Sequence, residues 1–254
     1  DESMVRHMIL NSIRMYRMEH HDEYGEVVLT WDSKHSWRRD YFPEYKASRR
    51  KGREESDLDW DDIFGTLNKI RNEIKENFPY KYLEVFGAEA DDIIGFLCEE
   101  NRDEKIMIIS GDKDFIQLQK FPNVKQWSPI TKKDVNGFNP TTYLKEHILK
   151  GDTSDGVPNV LSPDNTFVDG LRQRPLSRKK IQSWLIGGGS DWNDEVKRNF
   201  QRNSTLIDLS RTPEELKNQI RLEYNNAPHG DRSKLLNYFM QNKLKELTEN
   251  IGEF

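Results

Sequence analysis

The segment KYLEVFGAEADDIIGFL, residues 81–97, joins a β-rich run to a helical one across a short Gly87-Ala88 link. Residues 81–86 read as a strand, and the apolar spacing from Asp92 to Glu99 predicts a helix. At the junction, Glu89, Asp91 and Asp92 place three carboxylates within four positions. Carboxylates this close repel one another unless positive charge lies between them.

The same rhythm extends outward in both directions. Strand-like runs recur at 27–31, 106–109 and 123–127. A helical pattern at 61–77 carries Ile63, Phe64, Leu67, Ile70 and Ile74 on one face,. Met4, Met8, Ile9 and Ile13 mark a further helix near the start. Alternation of this kind predicts an α/β fold, a parallel central sheet flanked by helices, over residues 1–140. Beyond residue 140 the strand signals stop. Helices are expected at 141–150, 177–186, 191–202, 213–222 and 232–249, giving a mostly α C-terminal region over 141–254,. Gly187-Gly188-Gly189 lacks the Gly-Lys-Ser/Thr ending of a phosphate-binding loop and reads as an ordinary loop,.

Acids recur where strand runs end. Asp32 closes the first, Asp112 and Asp114 follow the third, and Asp152 and Asp155 follow the helix at 141–150. Ligands of open α/β sheets bind at the carboxyl ends of the strands. Acids in a first helical turn are favoured by about 0.3–1 kcal/mol each, and Asp is common in loops. Either effect accounts for one cluster. Convergence of Asp32, Glu89, Asp91, Asp92, Asp112 and Asp114 on one sheet edge points instead to divalent cations. The donors are oxygens, and the six histidines, His147 among them, show no zinc spacing, so Mg²⁺ or Mn²⁺ is expected. Two such ions about 3.5–4 Å apart activate water and stabilise the leaving oxygen in phosphodiester cleavage.

Residues 34–55, KHSWRRDYFPEYKASRRKGREE, hold eight cations against four anions, interleaved with Trp37, Tyr41, Phe42 and Tyr45. Cations neutralise phosphates and aromatic faces stack on unpaired bases. A solvated helix with its aromatics in the core fits the segment alone. Beside a phosphodiester-cleaving site, nucleic acid is the better reading. The net charge of −5 gives no such hint, because it averages this segregation away. The single Cys98 excludes an intrachain disulfide and fits a reducing compartment,. No apolar run approaches the roughly 18 residues of a membrane span, and no secretory signal is expected.

The stretches WRRDYFPEYKASRRKGREES, GAEADDIIGFL, IISGDKDFIQL, FPNVKQWSP and ILKGDTSDGVPNV together resemble the flap-endonuclease or 5′-nuclease family over nearly the whole chain. The resemblance implies a PIN-like nuclease domain over 1–140, with a helical arch at about 34–60, and a helix–two-turn–helix region within 141–254 for duplex binding. The implied activity is Mg²⁺-dependent 5′ to 3′ exonuclease and flap cleavage, with RNA primer removal during replication. It uses two Mg²⁺ ions, or Mn²⁺ in their place, and K⁺ at the helix–two-turn–helix. By position, Asp32, Glu89, Asp91, Asp92, Asp112, Asp114, Asp152 and Asp155 match the family's metal-site acids. Lys46 and Arg49 match catalytic cations at the arch base, with Tyr45 placed to stack on a terminal base. Arg38, Arg39, Arg50, Lys51 and Arg53 are expected on nucleic acid, as are the backbone groups of Gly156 and Val157. Implied partners are branched or nicked duplex DNA and RNA/DNA with 5′ flaps, together with single-strand-binding protein and a sliding clamp. The expected state is a cytoplasmic monomer with no membrane association.

The family opens with a hydrophobic strand ending in an aspartate. This chain starts after that point, so its first strand is expected to be missing by truncation. A non-catalytic flap- or junction-binding fragment lacking that metal ligand is therefore a competing reading. A toxin-like ribonuclease on a related sheet is a third.

Overall fold

A computed structural model describes residues 1–254, with the side chains of all but Arg50 and Lys51. The elements run α1 (Glu2–Tyr24), β1 (Val28–Thr30), α2 (Trp37–Tyr41), α3 (Ser48–Glu54), α4 (Trp60–Asn77), β2 (Lys81–Leu83), α5 (Ala90–Glu100) and β3 (Ile106–Ile109). A 3₁₀ helix (Lys113–Lys120) leads to β4 (Val124–Ser128), β5 (Lys133–Asp134), α6 (Pro140–Lys150), α7 (Arg178–Gly187), α8 (Asp194–Ile207), α9 (Glu214–Asn226), α10 (Leu235–Gln241) and α11 (Lys245–Glu249). The fold is mixed α/β with parallel strand pairing and many helices, as the alternation requires.

Contacts divide the chain into two compact units, one of residues 1–31, 57–84 and 220–254, the other of 32–56 and 85–219. Neither is a continuous half of the sequence, so the contact boundary does not fall at residue 140. In the first unit, β1 and β2 pair in parallel, Val28 beside Lys81 and Thr30 beside Leu83. The core gathers Leu10, Ile70, Ile74, Phe78, Leu235 and Phe239, all under 8% exposed, around the fully buried Phe254. Phe78 sits at the centre, edge-on to Tyr238, Phe239 and Phe254 at 5.4–5.9 Å, the spacing that suits aromatic quadrupoles. Arg6 is buried in this unit. It donates to both carboxylate oxygens of Glu73, at 2.7 and 2.8 Å, and the Tyr238 hydroxyl donates to Glu73 at 2.8 Å.

In the second unit, β3 and β4 are parallel, from Ile106 beside Val124 to Ile109 beside Trp127, and β5 adds an antiparallel edge. Cys98, Ile108, Phe115, Leu118 and Leu209 pack beneath. A second cluster joins Phe42 and Tyr45 to Ile148, Val157 and Leu206. Asn203 ties the polar backbone between them, donating from Nδ2 to the carbonyls of Ile148 and Pro158, both at 2.8 Å.

The expected single sheet is two ladders, β1–β2 and β3–β4–β5. The run at 81–86 pairs only to Leu83, and Phe86 is 77% exposed. The helix expected over 232–249 is broken at Lys243, whose φ of 55° cannot continue a right-handed helix,. The arch segment is two short helices, α2 and α3, with Lys46 at φ 57° in the turn between them.

Candidate active site

Every functional residue described below belongs to the second unit. Two exits of the β/α framework supply the central acids. Asp91 occupies the first turn of α5. Asp112 caps the 3₁₀ helix after β3, accepting from the Asp114 amide at 2.9 Å. Gln126 on β4 pins that turn, donating to the carbonyls of Ser110 and Asp112 at 2.9 and 2.6 Å. The result brings one carboxylate oxygen each from Asp91, Asp112 and Asp114 within 4.8 Å of one another. Asp32 accepts from the amide of Ala90, the residue before Asp91, at 2.7 Å.

A second donor group shares Asp114. His147, in the last turn of α6, has Nδ1 3.3 Å from Asp114 and Nε2 3.4 Å from Asp152. Asp114, His147 and Asp152 likewise bring donor atoms within 4.8 Å. Asp152 is placed by Gly151, whose φ is 68°. A Cβ there would lie 2.3 Å from the Val157 carbonyl oxygen, so the turn needs glycine.

The electrostatics follow from the crowding. Burial, then repulsion from Asp112 and Asp114, pushes the Asp91 carboxyl up to about 8. Asp114 is pushed up by burial, and His147 only partly offsets the push of its acidic neighbours. Burial opposes ionisation of Asp152, but His147 and Ser154 outweigh it and hold that carboxyl down. Among the described residues, neither Asp91 nor Asp112 is ion-paired with a cationic side chain. An all-carboxylate pocket of this kind fits a hard divalent cation.

The remaining acids are committed elsewhere. Asp92 is fully buried. Its Oδ1 accepts from Arg38 and Thr212, and its Oδ2 from Arg38, Trp37 and the Glu89 amide, all at 2.8–3.2 Å. Every acceptor direction is used, so Asp92 anchors Arg38 and is not an open metal ligand, contrary to the sequence expectation. Glu89, 7% exposed, accepts from Lys46 Nζ at 2.7 Å, Arg38 at 3.2 Å and lies 2.9 Å from the Tyr45 hydroxyl. Asp155 faces Arg49 at 2.5 Å and Tyr45 at 2.8 Å.

Three further expectations change. Arg38 is 2% exposed and spent on Asp92, Glu89 and the Leu206 carbonyl, so it offers nothing to a phosphate. Tyr45 is 3% exposed inside the Phe42–Val157 cluster, so its ring has no face for a base. The amides of Gly156 and Val157 donate to Thr153 and Asp152 at 3.2 and 2.7 Å, closing their own turn instead of presenting to a duplex. Arg39, Arg49 and Arg53 are exposed, and Lys46 lies at the rim of the acid cluster. The expected contacts of Arg50 and Lys51 lie outside the described residues.

The sequence assigns no site role to His147 or Thr212, and it marks Trp37 only as an aromatic of the basic segment, not as a partner of Asp92. The signal for His147 was available: it precedes Asp152 by five residues in a helix that ends at Gly151. Thr212 and Trp37 reach Asp92 from 120 and 55 residues away, and no local pattern announces that.

This arrangement, acids gathered at the exits of α/β elements with cations at their rim, defines a phosphodiester hydrolase, and the chain belongs to the 5′-3′ exonuclease family. Residues 3–148 match the model of the 5′-3′ exonuclease N-terminal, resolvase-like domain, and residues 140–254 match that of the T4 RNase H C-terminal domain. Among individual relatives, the ribonuclease H of Enterobacteria phage T4 is 36% identical over 99% of this chain and 87% of its own length. A 5′-3′ exonuclease of Buchnera aphidicola is 31% identical, over 53% of this chain and 48% of its own. A solved bacteriophage T5 flap endonuclease, in complex with DNA and metal ions, superposes with a TM-score of 0.60 over 85% of this chain and 88% of that one. At 16% identity that likeness concerns the fold. The family is divalent-metal dependent. Among the described residues no helix is long and apolar enough to cross a membrane.

Proposed function

We propose that this chain is a Mg²⁺-dependent, structure-specific 5′ nuclease that trims 5′ ends and removes flaps and RNA primers from nicked or branched duplexes. The observation that carries the reading is the meeting of carboxylate oxygens of Asp91, Asp112 and Asp114 within 4.8 Å, with Asp152 grouped about the same Asp114 and with Lys46 and Arg49 held on the neighbouring acids Glu89 and Asp155. Mg²⁺ is preferred over softer metals because these donors are hard oxygens. When bound, the ions supply an activated water and charge neutralisation at the leaving oxygen.

The protein's own part is positioning. Asp91, Asp112, Asp114 and Asp32 hold the cations. Lys46 and Arg49 leave Glu89 and Asp155 to meet the scissile phosphate, and stabilise charge that grows on it. Glu89, Tyr45 and Asp155 keep that pair at the rim meanwhile. Arg39, Arg50, Lys51 and Arg53 track the strand beyond. A functional division near residue 140 agrees with the two family matches, the first part carrying chemistry and the second duplex contacts. The turn at 152–158 offers little to K⁺. From Asp152 to Pro158, every backbone carbonyl except that of Gly156 already accepts an intrachain bond, which leaves few oxygens for a carbonyl cage. Single-strand-binding protein, a sliding clamp and a cytoplasmic setting follow from the family's role in replication.

The test is Asp112→Asn on a labelled 5′-flap duplex with Mg²⁺. Cleavage should fall by about 10²–10³-fold, the scale of losing one preorganised electrostatic contact, while flap binding persists. Wild-type turnover in that variant would overturn the reading.

A further inference from the structure

We infer that the two donor groups of this site are chemically unequal, and that His147 gives one of them a nitrogen ligand that biases it toward Mn²⁺ over Mg²⁺. The inference rests on the metal-site reading above and adds to it the identity of one ligand. The Asp91–Asp112–Asp114 group is all oxygen, whereas Asp114–His147–Asp152 mixes two carboxylates with an imidazole. Asp114 belongs to both, so ions held by the two groups would be neighbours, as in the paired sites of phosphodiester cleavage,.

The spacing of His147 leaves room for ligation: its nitrogens stand 3.3 Å from Asp114 and 3.4 Å from Asp152. Two donors sharing one octahedral cation, each about 2.1 Å from it, lie about 3 Å apart. A neutral imidazole has one lone pair and one N–H. One nitrogen can therefore ligate beside one carboxylate while the other donates to its opposite neighbour, the carboxylate–histidine–metal arrangement that fixes the ring. The ring is also held mechanically: α6 ends at the glycine beneath it, and Tyr143, one turn earlier, packs edge-on at 6.1 Å. Imidazole favours the later first-row metals, and carboxylate and water favour Mg²⁺. Replacing one oxygen by nitrogen therefore raises Mn²⁺ affinity relative to Mg²⁺.

The measurement is pulsed electron paramagnetic resonance on the whole chain loaded with Mn²⁺, paired with calorimetric titration of Mn²⁺ and of Mg²⁺. Wild type should show the ¹⁴N coupling of a directly bound imidazole. In His147→Gln the coupling should vanish, and the Mn²⁺-to-Mg²⁺ affinity ratio should drop by about tenfold with Mg²⁺ affinity nearly unchanged. Mn²⁺ bound without nitrogen coupling in wild type overturns the role of His147 and leaves the metal-site reading standing. Absence of any Mn²⁺ or Mg²⁺ uptake by wild type overturns both.

Discussion

Arg38 grips Asp92 through a two-pronged contact, Nη1 to Oδ2 at 2.9 Å and Nη2 to Oδ1 at 2.8 Å, with both side chains out of water. A planar guanidinium matches a carboxylate in this way and an ammonium does not. Removing one partner strands the other charge in the interior, which costs about 3–5 kcal/mol. Arg38→Ala should lower unfolding free energy by that amount in urea titration, and Arg38→Lys should recover only part of it. A near-neutral Arg38→Ala would show that the pair does not hold the arch base to α5.

Asp91 makes the opposite prediction. Its carboxylate is buried and crowded by Asp112 and Asp114, and the attraction of Arg38 does not offset that, so in the absence of metal it works against folding. Asp91→Asn should therefore melt at a higher temperature than wild type in a chelator. Excess Mg²⁺ should raise wild type by mass action and raise the variant much less. Scanning calorimetry in the two buffers reads both effects. Equal metal-induced shifts in the two proteins would remove Asp91 from the ion site.

The Arg6–Glu73–Tyr238 cluster gives a pH dependence with a definite sign. Burial alone would raise the Glu73 carboxyl, but bonds from Arg6 and Tyr238 prevail and lower it. A depressed acid stabilises the fold above its unfolded value near 4.5, and that stabilisation fades as pH falls through the lower folded value. The stability gap between wild type and Glu73→Gln should thus be largest at neutral pH, about 1–3 kcal/mol for charge-assisted bonds. It should shrink as urea titrations are moved from pH 5 toward pH 3. A gap that widens in acid would contradict this.

What the sequence disclosed and what it withheld divide along physical lines. Helix α4 was legible because Ile63, Leu67, Ile70 and Ile74 repeat at helical spacing, and α5 because the apolar residues between Asp92 and Glu99 do the same,. The acids Asp91, Asp112 and Asp114 were legible as a group because strand exits converge whatever the details of packing. Which carboxylates remain open was not legible. Asp91 and Asp92 are adjacent and chemically identical, yet one faces the cluster and the other is saturated by Arg38, Thr212 and Trp37. That assignment depends on partners more than 50 residues away. The burial of Arg38 and Tyr45 was hidden for a related reason. A basic, aromatic segment has the same composition whether it faces a phosphate or an internal carboxylate.

Gly151 allows the link between backbone and site to be tested without touching a charge. It adopts φ 68°, and a methyl group there would run into the carbonyl of Val157 at 2.3 Å and that of Pro158 at 2.6 Å. Gly188 has nearly the same φ, 65°, but open space around its Cβ position. Alanine at Gly188, with ψ 15°, incurs the left-handed helical cost of about 1–2 kcal/mol,. Gly151, with ψ −174°, lies in a region essentially reserved for glycine, where alanine costs at least as much,. Only Gly151→Ala must also move the turn that carries Asp152 and Asp155. Urea titration should therefore find Gly188→Ala about 1 kcal/mol less stable than wild type and Gly151→Ala less stable by about 2–4 kcal/mol. Mn²⁺ affinity should fall in the second variant and stay at the wild-type value in the first. Equal losses of stability with unchanged ion binding would mean that the 151–157 turn adjusts freely and that its conformation does not set the position of Asp152.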